Sequence, residues 1–588
     1  MIYVLDTECY KDYFLIMGRP LEGGAPIVFY ELYPGGATPL VIPKDATFVT
    51  FNGINYDFPI MAMALNGADN WTLKQASDDI ILHDFKPWDI ERKYGAPPLA
   101  LDHIDLINIA AGQVGLKAYG GRLHSHKLQD LPIDPGANIS PQDRVILRQY
   151  CANDLQTTED LYNKLKPLIE LRERMSQQYG LDLRSKSDAR IAEAVIRKQM
   201  KERLGRRIYR PDIHPDYKFK YQPPSFIKFQ SPGMRRALEV IKNADMTLDK
   251  NGLVEMPQEL ESLRLRIGKA VYRMGIGGLH STETCIGHKG PLIDRDVISY
   301  YPSIILNLGL YPAHLGPEFL EVYRGIYDSR LEAKAAGNKV VADSLKIVLN
   351  GSFGKLGSKW SVLYSPELMI QVTLTGQLSL LMLIEIMEEC GVEVVSANTD
   401  GLVLSGDKFA IDMMTAYWEG VTGFRTEETL YDALYQKDVN NYIAVKADGK
   451  IKTKGLYALG GLSKNPTNTI CVEAVIAKVT KAAPVEVTVL TCADIRKFST
   501  VRQVKGGAKC GPAYLGKAVR WYYAQGEKGY IEYVTNGNKV ARSDGARPIM
   551  ELPNRMPDDL DYAWYIREAN SILEDIGYVA DVRSDIGS

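Results

Sequence analysis

The sequence predicts an α/β chain of the α+β multidomain kind, on three observations. The chain has 588 residues, which at ~150 residues per domain gives about four domains. Its 45% hydrophobic and 24% charged content is that of a globular protein; it argues against disorder, collagen and coiled coil. Short apolar runs that end in acidic residues alternate with long helical patterns, as expected where strands feed helices.

The first element is a strand, Ile2–Leu5, running into Asp6-Thr7-Glu8. The apolar run Tyr13–Met17 follows and makes an antiparallel pair with it. The two-residue period of a strand puts Asp6 and Glu8 on one face. Two carboxylates there repel unless a cation sits between them. Next, Phe48–Phe51 leads into Asn52-Gly53-Ile54-Asn55-Tyr56-Asp57. Ser140-Pro141-Gln142-Asp143 reads as a capped helix start with Pro at the first position. On that helix Tyr150 and Asp154 are four apart and share a face. Three separated segments thus offer four carboxylates and a tyrosine.

A second acidic set follows. Asp294–Ile298 is a strand running into a Pro-marked turn and helix, with Asp296 where they meet. Val392–Ser396 and Leu402–Ser405 form a hairpin with Asp400 at its turn. Between them, Glu318–Gly354 is a helical pattern broken at Gly337-Asn338, hence two antiparallel helices. Arg330 and Lys346 each lie eight positions from Asn338 (338 − 330 and 346 − 338) and stand at similar height. Lys334 is one turn from Arg330, and Asn350 one turn from Lys346. Arg is suited to bidentate phosphate contacts and Lys to point-charge contacts. Cations converging beside a metal platform suggest a triphosphate.

The net charge of −2 excludes no nucleic-acid partner, because its distribution is uneven. Lys481–Met556 carries thirteen Lys/Arg against six Asp/Glu, a net of +7, while Pro557–Ser588 carries two against eight, a net of −6. The basic stretch is rich in Gly and Tyr and either follows a phosphate backbone or is a solvated surface. The acidic tail reads as a solvated helix surface. The seven cysteines are scattered without a Cys-x-x-Cys pair, so free thiols in a reducing compartment are expected. Ile2–Leu5 runs into Asp6 without a basic leader, and no uninterrupted apolar run of spanning length is read. A soluble cytoplasmic protein without a membrane partner is expected. His103, His124, His126 and His280 show no metal-ligand spacing and read as structural.

Taken together, Asp6-x-Glu8, Asn52–Asp57 and Tyr150-x-x-x-Asp154 resemble the three motifs of DEDDy 3′–5′ proofreading exonucleases, in the form found in family B DNA polymerases. Asp296–Ser303 resembles that family's polymerase motif A. Lys346-x-x-x-Asn350-Gly351-Ser352-Phe353-Gly354 resembles motif B, Asn398-Thr399-Asp400 motif C, and Arg330-x-x-x-Lys334 the fingers helix. The likeness spans Met1 to about Gly461 and extends weakly to Phe498–Ala508, which looks like the start of a phage-type thumb. A family A polymerase is disfavoured, since no His-Asp-Glu motif is found.

The resemblance implies an RNase H-like exonuclease domain followed by a right-hand polymerase. The expected boundaries are exonuclease 1–180, a connector of unknown role at 181–270, palm 271–316 and 356–480, fingers 317–355, and thumb with C-terminal tail 481–588. It also implies template-directed DNA synthesis from a primer 3′-hydroxyl with dNTPs, 3′–5′ proofreading, and a role in phage replication in the host cytoplasm. Two Mg²⁺ (or Mn²⁺) per site are implied, held by Asp6, Glu8, Asp57 and Asp154 in one site and by Asp296, Asp400 and the Val297 carbonyl in the other. Tyr150 would orient the attacking water. Arg330, Lys334 and Lys346 would neutralise the triphosphate, Asn350 would shape the nucleotide pocket, and Tyr301 would be the steric gate against a 2′-hydroxyl. Tyr442, Lys454, Gly455, Arg502 and Lys505 would contact DNA. The implied partners are primer–template DNA and other replication proteins, with the chain a monomer.

Four positions depart from the family pattern: Asn398 for Asp, Asn440 for Lys, Tyr300 for Leu and Gly351 for Ser. Asp400, the expected ligand, is kept, so an active polymerase is expected and Asn398→Asp should leave activity within about tenfold. The fifty-residue intervals Asp296–Lys346 (346 − 296) and Asn350–Asp400 (400 − 350) leave little room for large insertions. The basic run Arg203–Arg210 either faces DNA or belongs to a packed connector. Two rivals stay open: an exonuclease whose second half binds DNA without synthesis, and a non-catalytic scaffold.

Overall fold

The computed structural model describes residues 1–21, 23–43, 45–214 and 216–579. The last nine residues of the acidic tail, 580–588, lie outside the described residues. The chain forms two compact units. The first takes in Met1–Lys186, Leu459–Cys471 and Glu486–Arg567; the second takes in Ser187–Ala458, Val472–Val485 and Glu568–Ser588.

A mixed sheet organises the first unit. Ile2–Tyr10 lies at its centre, antiparallel to Tyr13–Pro20 with Asp6 opposite Met17 and Glu8 opposite Leu15. On its other edge Thr47–Thr50 runs parallel, followed by parallel Asp102–Asp105. Four antiparallel strands, the outermost the two-residue Gly36–Ala37, beside two parallel ones give an RNase H-like order. The 39-residue helix Pro141–Tyr179 covers one face of this sheet. It starts as the sequence predicts: the Ser140 hydroxyl accepts the Asp143 N–H, and the Asp143 carboxylate accepts the Ser140 N–H. Apolar side chains on both faces, such as Val4 and Tyr13 on one and Leu5 and Phe14 on the other, bury the sheet in two cores.

The basic segment forms a small sheet in this same unit, built on the hairpin Thr500–Cys510 and Ala513–Tyr523. Arg520 of that sheet is fully buried. Its guanidinium donates to the carbonyls of Ser125, His126, Ile549 and Met550. Burial pulls its pKa down to about 10. This arginine is therefore a structural tie and not a phosphate contact.

The second unit is built on a nine-stranded sheet around Ile286–Val297. Its neighbours are Gly401–Ser405 and Thr426–Asp438, both antiparallel. The predicted hairpin is present as Glu393–Asn398 and Gly401–Ser405, with Thr399 at φ 49° in the turn. The sheet also takes in Leu265–Ile267, inside the segment read as connector. The predicted helical pair spans Glu318–Ala335 and Lys339–Leu356. The Asn338 side chain accepts the Val341 N–H and starts the second helix.

A third helix, Asp188–Leu204, packs along Lys339–Leu356. This explains Gly351. A Cβ there would come within 2.7 Å of the Asp188 carbonyl and 2.9 Å of the Ala192 methyl, so only glycine admits the close crossing. Tyr300 is explained too: its hydroxyl donates to the Gly376 carbonyl at 2.6 Å, and its ring meets Phe424 edge-on at 5.3 Å.

One long helix, Pro366–Glu389, is largely apolar and is interrupted by Gln371, Thr373, Thr375 and Gln377. By length and composition it passes for a membrane span, but 83% of its most apolar window is buried within the protein. Its polar members are bonded inside, with the Glu385 carboxylate accepting the N–H groups of Gln230 and Ser231. It is a core helix.

Candidate active sites

In the first unit the strand carrying Asp6 and Glu8, the helix start at Asp57 and the long helix at Tyr150 and Asp154 converge. Glu8, Asp57, Asp154 and Tyr150 are buried. Oxygen atoms of Asp6 and Glu8 and the sulfur of Cys151 lie within 4.8 Å of one another. The Thr7 hydroxyl donates to Asp57 at 2.6 Å and fixes that carboxylate. Burial, joined by the charges of Asp57 and Asp154, raises the Asp6 carboxyl well above its ordinary range; Glu8 is raised by burial and by Asp6 and Asp154. Burial pushes Asp57 up to about 7, with the Thr7 bond working against it. Carboxylates this crowded hold their protons unless a cation replaces them.

Sequence reading missed the cation already there. Lys117, from the short helix Leu116–Arg122, is ion-paired to Asp154, with its ammonium 4.3 Å from the Tyr150 ring centroid. Burial raises the Tyr150 hydroxyl far above neutrality, so it stays a hydrogen-bond donor.

In the second unit a cleft of about 610 Å³ gathers most of the remaining residues singled out in the sequence. Its floor holds Asp296, Val297 and Asp400. The two helices bring Arg330, Lys334, Lys346 and Asn350 to its side, and Tyr301, Tyr442 and Lys454 also line it. The floor is fixed by backbone. The Val297 N–H donates to the Asp400 carbonyl at 2.8 Å, and Asp296 stands opposite Gly401. A Cβ at Gly401 would meet Asp296 Oδ1 at 2.0 Å. Glycine is what lets the Asp296 carboxylate stand in the cleft.

Burial lifts Asp296 to about 6, with Asp294 adding to the shift and Lys452 opposing it. Asp400 is raised by burial against the pull of Lys454 and Lys452. The cations rest on the protein's own groups: Arg330 donates to the Ser299 hydroxyl, and Lys334 lies 3.2 Å from Glu427. Tyr301 is stacked on Phe353 at 4.2 Å, and its hydroxyl donates to the Gly277 carbonyl at 3.2 Å.

In the same lining, beside Asp296, is a network that sequence reading left without a role. Lys452 lies 3.1 Å from buried Asp294 and 3.7 Å from Asp296, and 3.0 Å from the Tyr431 hydroxyl, which donates to Asp294. Burial alone would lower the Lys452 ammonium, but Asp294 and Tyr431 raise it above its ordinary value. The signal was in the spacing: Asp294 and Asp296, like Lys452 and Lys454, are two apart on strands and so share a face.

The remaining candidates lie apart from that lining. Gly455 opens the turn Gly455–Tyr457, beside Asn441, whose side-chain oxygen accepts the Leu456 N–H at 2.8 Å. Arg502 and Lys505 stand on the small sheet of the first unit, next to a bulge between Gln503 and Ala508.

No family model matches the chain. Among curated proteins it is similar to DNA polymerase II of Escherichia coli (strain K12), 31% identical over 80 residues. That match covers 14% of this chain and 10% of the relative, so it spans a tenth of the curated protein's length. Among solved structures it is similar to the family B DNA polymerase of the hyperthermophilic archaeon Pyrobaculum calidifontis. The identity is 15% with a TM-score of 0.42, covering 99% of this chain and 78% of that one.

Proposed function

We propose that the chain is a DNA polymerase of the family B kind, extending a primer 3′-hydroxyl with dNTPs in the cleft of the second unit and removing 3′-terminal nucleotides in the acidic site of the first. The observation that carries this reading is the meeting of Asp296 and Asp400 at one floor, flanked by Arg330, Lys334, Lys346 and Asn350. These residues come from separate segments spread over 104 positions (400 − 296), in the order the family's motifs predict.

The donor sets fit Mg²⁺ or Mn²⁺. In the cleft they are carboxylate and carbonyl oxygens, and in both sites burial, with neighbouring carboxylates adding to it, raises the carboxyl pKa values, which a bound cation would offset. Asp296, Asp400 and the Val297 carbonyl would hold two ions in the cleft; Asp6, Glu8, Asp57 and Asp154 would hold two in the first unit. When bound, such ions activate the attacking oxygen and neutralise charge on the phosphate.

The chain's own residues do the rest. Arg330 and Lys334 turn from Ser299 and Glu427 to the triphosphate, and Lys346 joins them; this positioning and charge pairing is most of what a protein contributes to phosphoryl chemistry. Tyr301, braced by Phe353 and Gly277, sets the width of the sugar pocket. Lys452 orients Asp294 and Asp296. In the first unit Tyr150 keeps its proton and orients water by donating to it. Lys117, paired with Asp154, would be placed to meet a substrate phosphate, with Asp154 among the carboxylates that would hold metal. Replication in a phage-infected cell, acting as a monomer in the cytoplasm, is the setting we infer.

One primer–template assayed with Mg²⁺, with and without dNTPs, tests the reading. Extension with dNTPs and shortening without them is the expected result. Shortening alone supports an exonuclease whose second unit does not synthesise, and neither activity supports a scaffold.

A further inference from the structure

The basic run Arg203–Arg210 resolves into two parts. Arg203, on the last turn of the helix Asp188–Leu204, is ion-paired with Glu321. Beyond Gly205 the chain leaves the helix, pinned by buried Ile208, while Arg206, Arg207, Tyr209 and Arg210 stay exposed. Arg210 then meets a second segment. Its guanidinium lies 5.1 Å from the ring centroid of Trp360, and the Lys359 ammonium lies 5.2 Å from the same ring. Among the described residues, none of Arg206, Arg207, Arg210 and Lys359 has a carboxylate within ion-pair distance.

Trp360 is 71% exposed and Tyr209 68%. The Lys359 ammonium also donates to the Lys250 carbonyl at 3.4 Å. Large rings normally bury most of their area, so two held in solvent among arginines without a carboxylate partner call for a ligand. Their position suggests which. Trp360 is four residues past the end of the helix Lys339–Leu356, whose Lys346, Asn350 and Phe353 line the cleft.

We propose that Trp360, Tyr209, Arg206, Arg207, Arg210 and Lys359 form a platform for single-stranded nucleic acid, which takes the unpaired template strand beyond the cleft. A base stacks on the Trp360 ring, already polarised by two cations, and the arginines take the flanking phosphates. Exposed rings interleaved with Arg and Lys are the chemistry that holds single strands without sequence preference. An acidic polypeptide would satisfy the cations but leave the rings without use. The identity of the strand as template rests on the polymerase reading; the binding of a single strand does not.

The test is fluorescence anisotropy of labelled primer–templates in EDTA without dNTPs, one blunt and one with a 5′ template extension of about twelve nucleotides, within the ~4–16-nucleotide reach of such grooves. The extension should tighten wild-type binding by about tenfold or more, the worth of one or two stacked bases. Trp360→Ala should lose most of that gain and Trp360→Phe keep most of it, both leaving the blunt duplex unchanged. Arg206→Gln with Arg207→Gln should lower the salt slope for the extension by about 1.4, at ~0.7 per phosphate. Undiminished gain in Trp360→Ala overturns the platform. So does polyglutamate displacing the extended DNA as well as oligo-dT of equal charge does. If Trp360→Ala weakens both duplexes alike, the double arginine variant decides: an unchanged slope rejects the proposal. Extension by wild type without any overhang effect rejects the platform alone; an overhang effect without extension rejects the polymerase reading and leaves the platform.

Discussion

Asn398 donates its side-chain amide to the backbone carbonyl of Val439 at 3.0 Å. Its other atom accepts the Thr399 hydroxyl at 3.0 Å. The amide therefore faces the neighbouring turn and fastens the hairpin that carries Asp400.

An aspartate at 398 cannot donate, and it sets a negative oxygen against the Val439 carbonyl. Losing one such bond costs ~1–3 kcal/mol. Asn398→Asp should lower stability by about that amount in denaturant titration, with primer extension still within about tenfold of wild type. A variant as stable as wild type would show the amide bond to be idle.

Gly401→Ala is the sharper test of the floor. Its methyl would meet the Asp296 carboxylate at 2.0 Å, so Asp296 must turn away. Extension should fall by about a hundredfold, ~2.7 kcal/mol, while digestion of a single strand is unchanged. Retained extension would remove Asp296 from the site.

The two acidic sites should separate cleanly. Asp400→Ala should abolish extension and spare digestion, and Asp6→Ala should do the reverse, both followed on one labelled primer. Loss of both activities from either change would contradict two independent centres.

Tyr301→Ala removes the ring braced between Phe353 and the Gly277 carbonyl. Ribonucleotide incorporation should rise by about tenfold or more relative to deoxynucleotide, since a steric block is lost and no hydrogen bond is gained. Unchanged selectivity in single-nucleotide insertion would reject Tyr301 as the gate.

The acidic site predicts a pH dependence of stability. The Asp57 carboxyl is raised from 3.8 to about 7 in the fold. Between those values the folded chain holds a proton that the unfolded chain has released. Stability in EDTA should therefore fall as pH rises from about 4 to 7. Each kcal/mol lost shows as ~2–4 °C in a domain of this size. Mg²⁺ should restore more at pH 8 than at pH 5, because ligands must be ionised to bind it. Asp57→Asn should make the EDTA curve shallower between pH 4 and 7, with the other buried carboxyls keeping part of the slope; an unaltered slope in scanning calorimetry would refute the assignment.

Local periodicity made the carboxylates legible. Asp6 with Glu8, Tyr150 with Asp154, and the Asn338-centred helices all follow from spacing within one element, and the structure places them as the spacing predicts. What spacing within an element cannot show is which side chain arrives from elsewhere. Lys117 reaches Asp154 from a seven-residue helix whose sequence carries no motif. Lys452 reaches Asp294 across strand pairings that only the assembled sheet defines. The helix Asp188–Leu204 was read as an unassigned connector because its partner surface, opened by Gly351, lies more than a hundred residues away.

Within the described residues the chain passes between its two units at five points, after Lys186, Ala458, Cys471, Val485 and Arg567. Such threading removes the usual seam for evolutionary shuffling. A recombination joint after Lys186 would give the sheet around Asp6 to a new host while leaving Arg520 behind, and with it the four carbonyl bonds of which Ser125 and His126 supply two. Loss of the acidic site is therefore expected by point substitution of a carboxylate and not by deletion of Met1–Lys186, since that deletion would strip Arg520 of two of its partners.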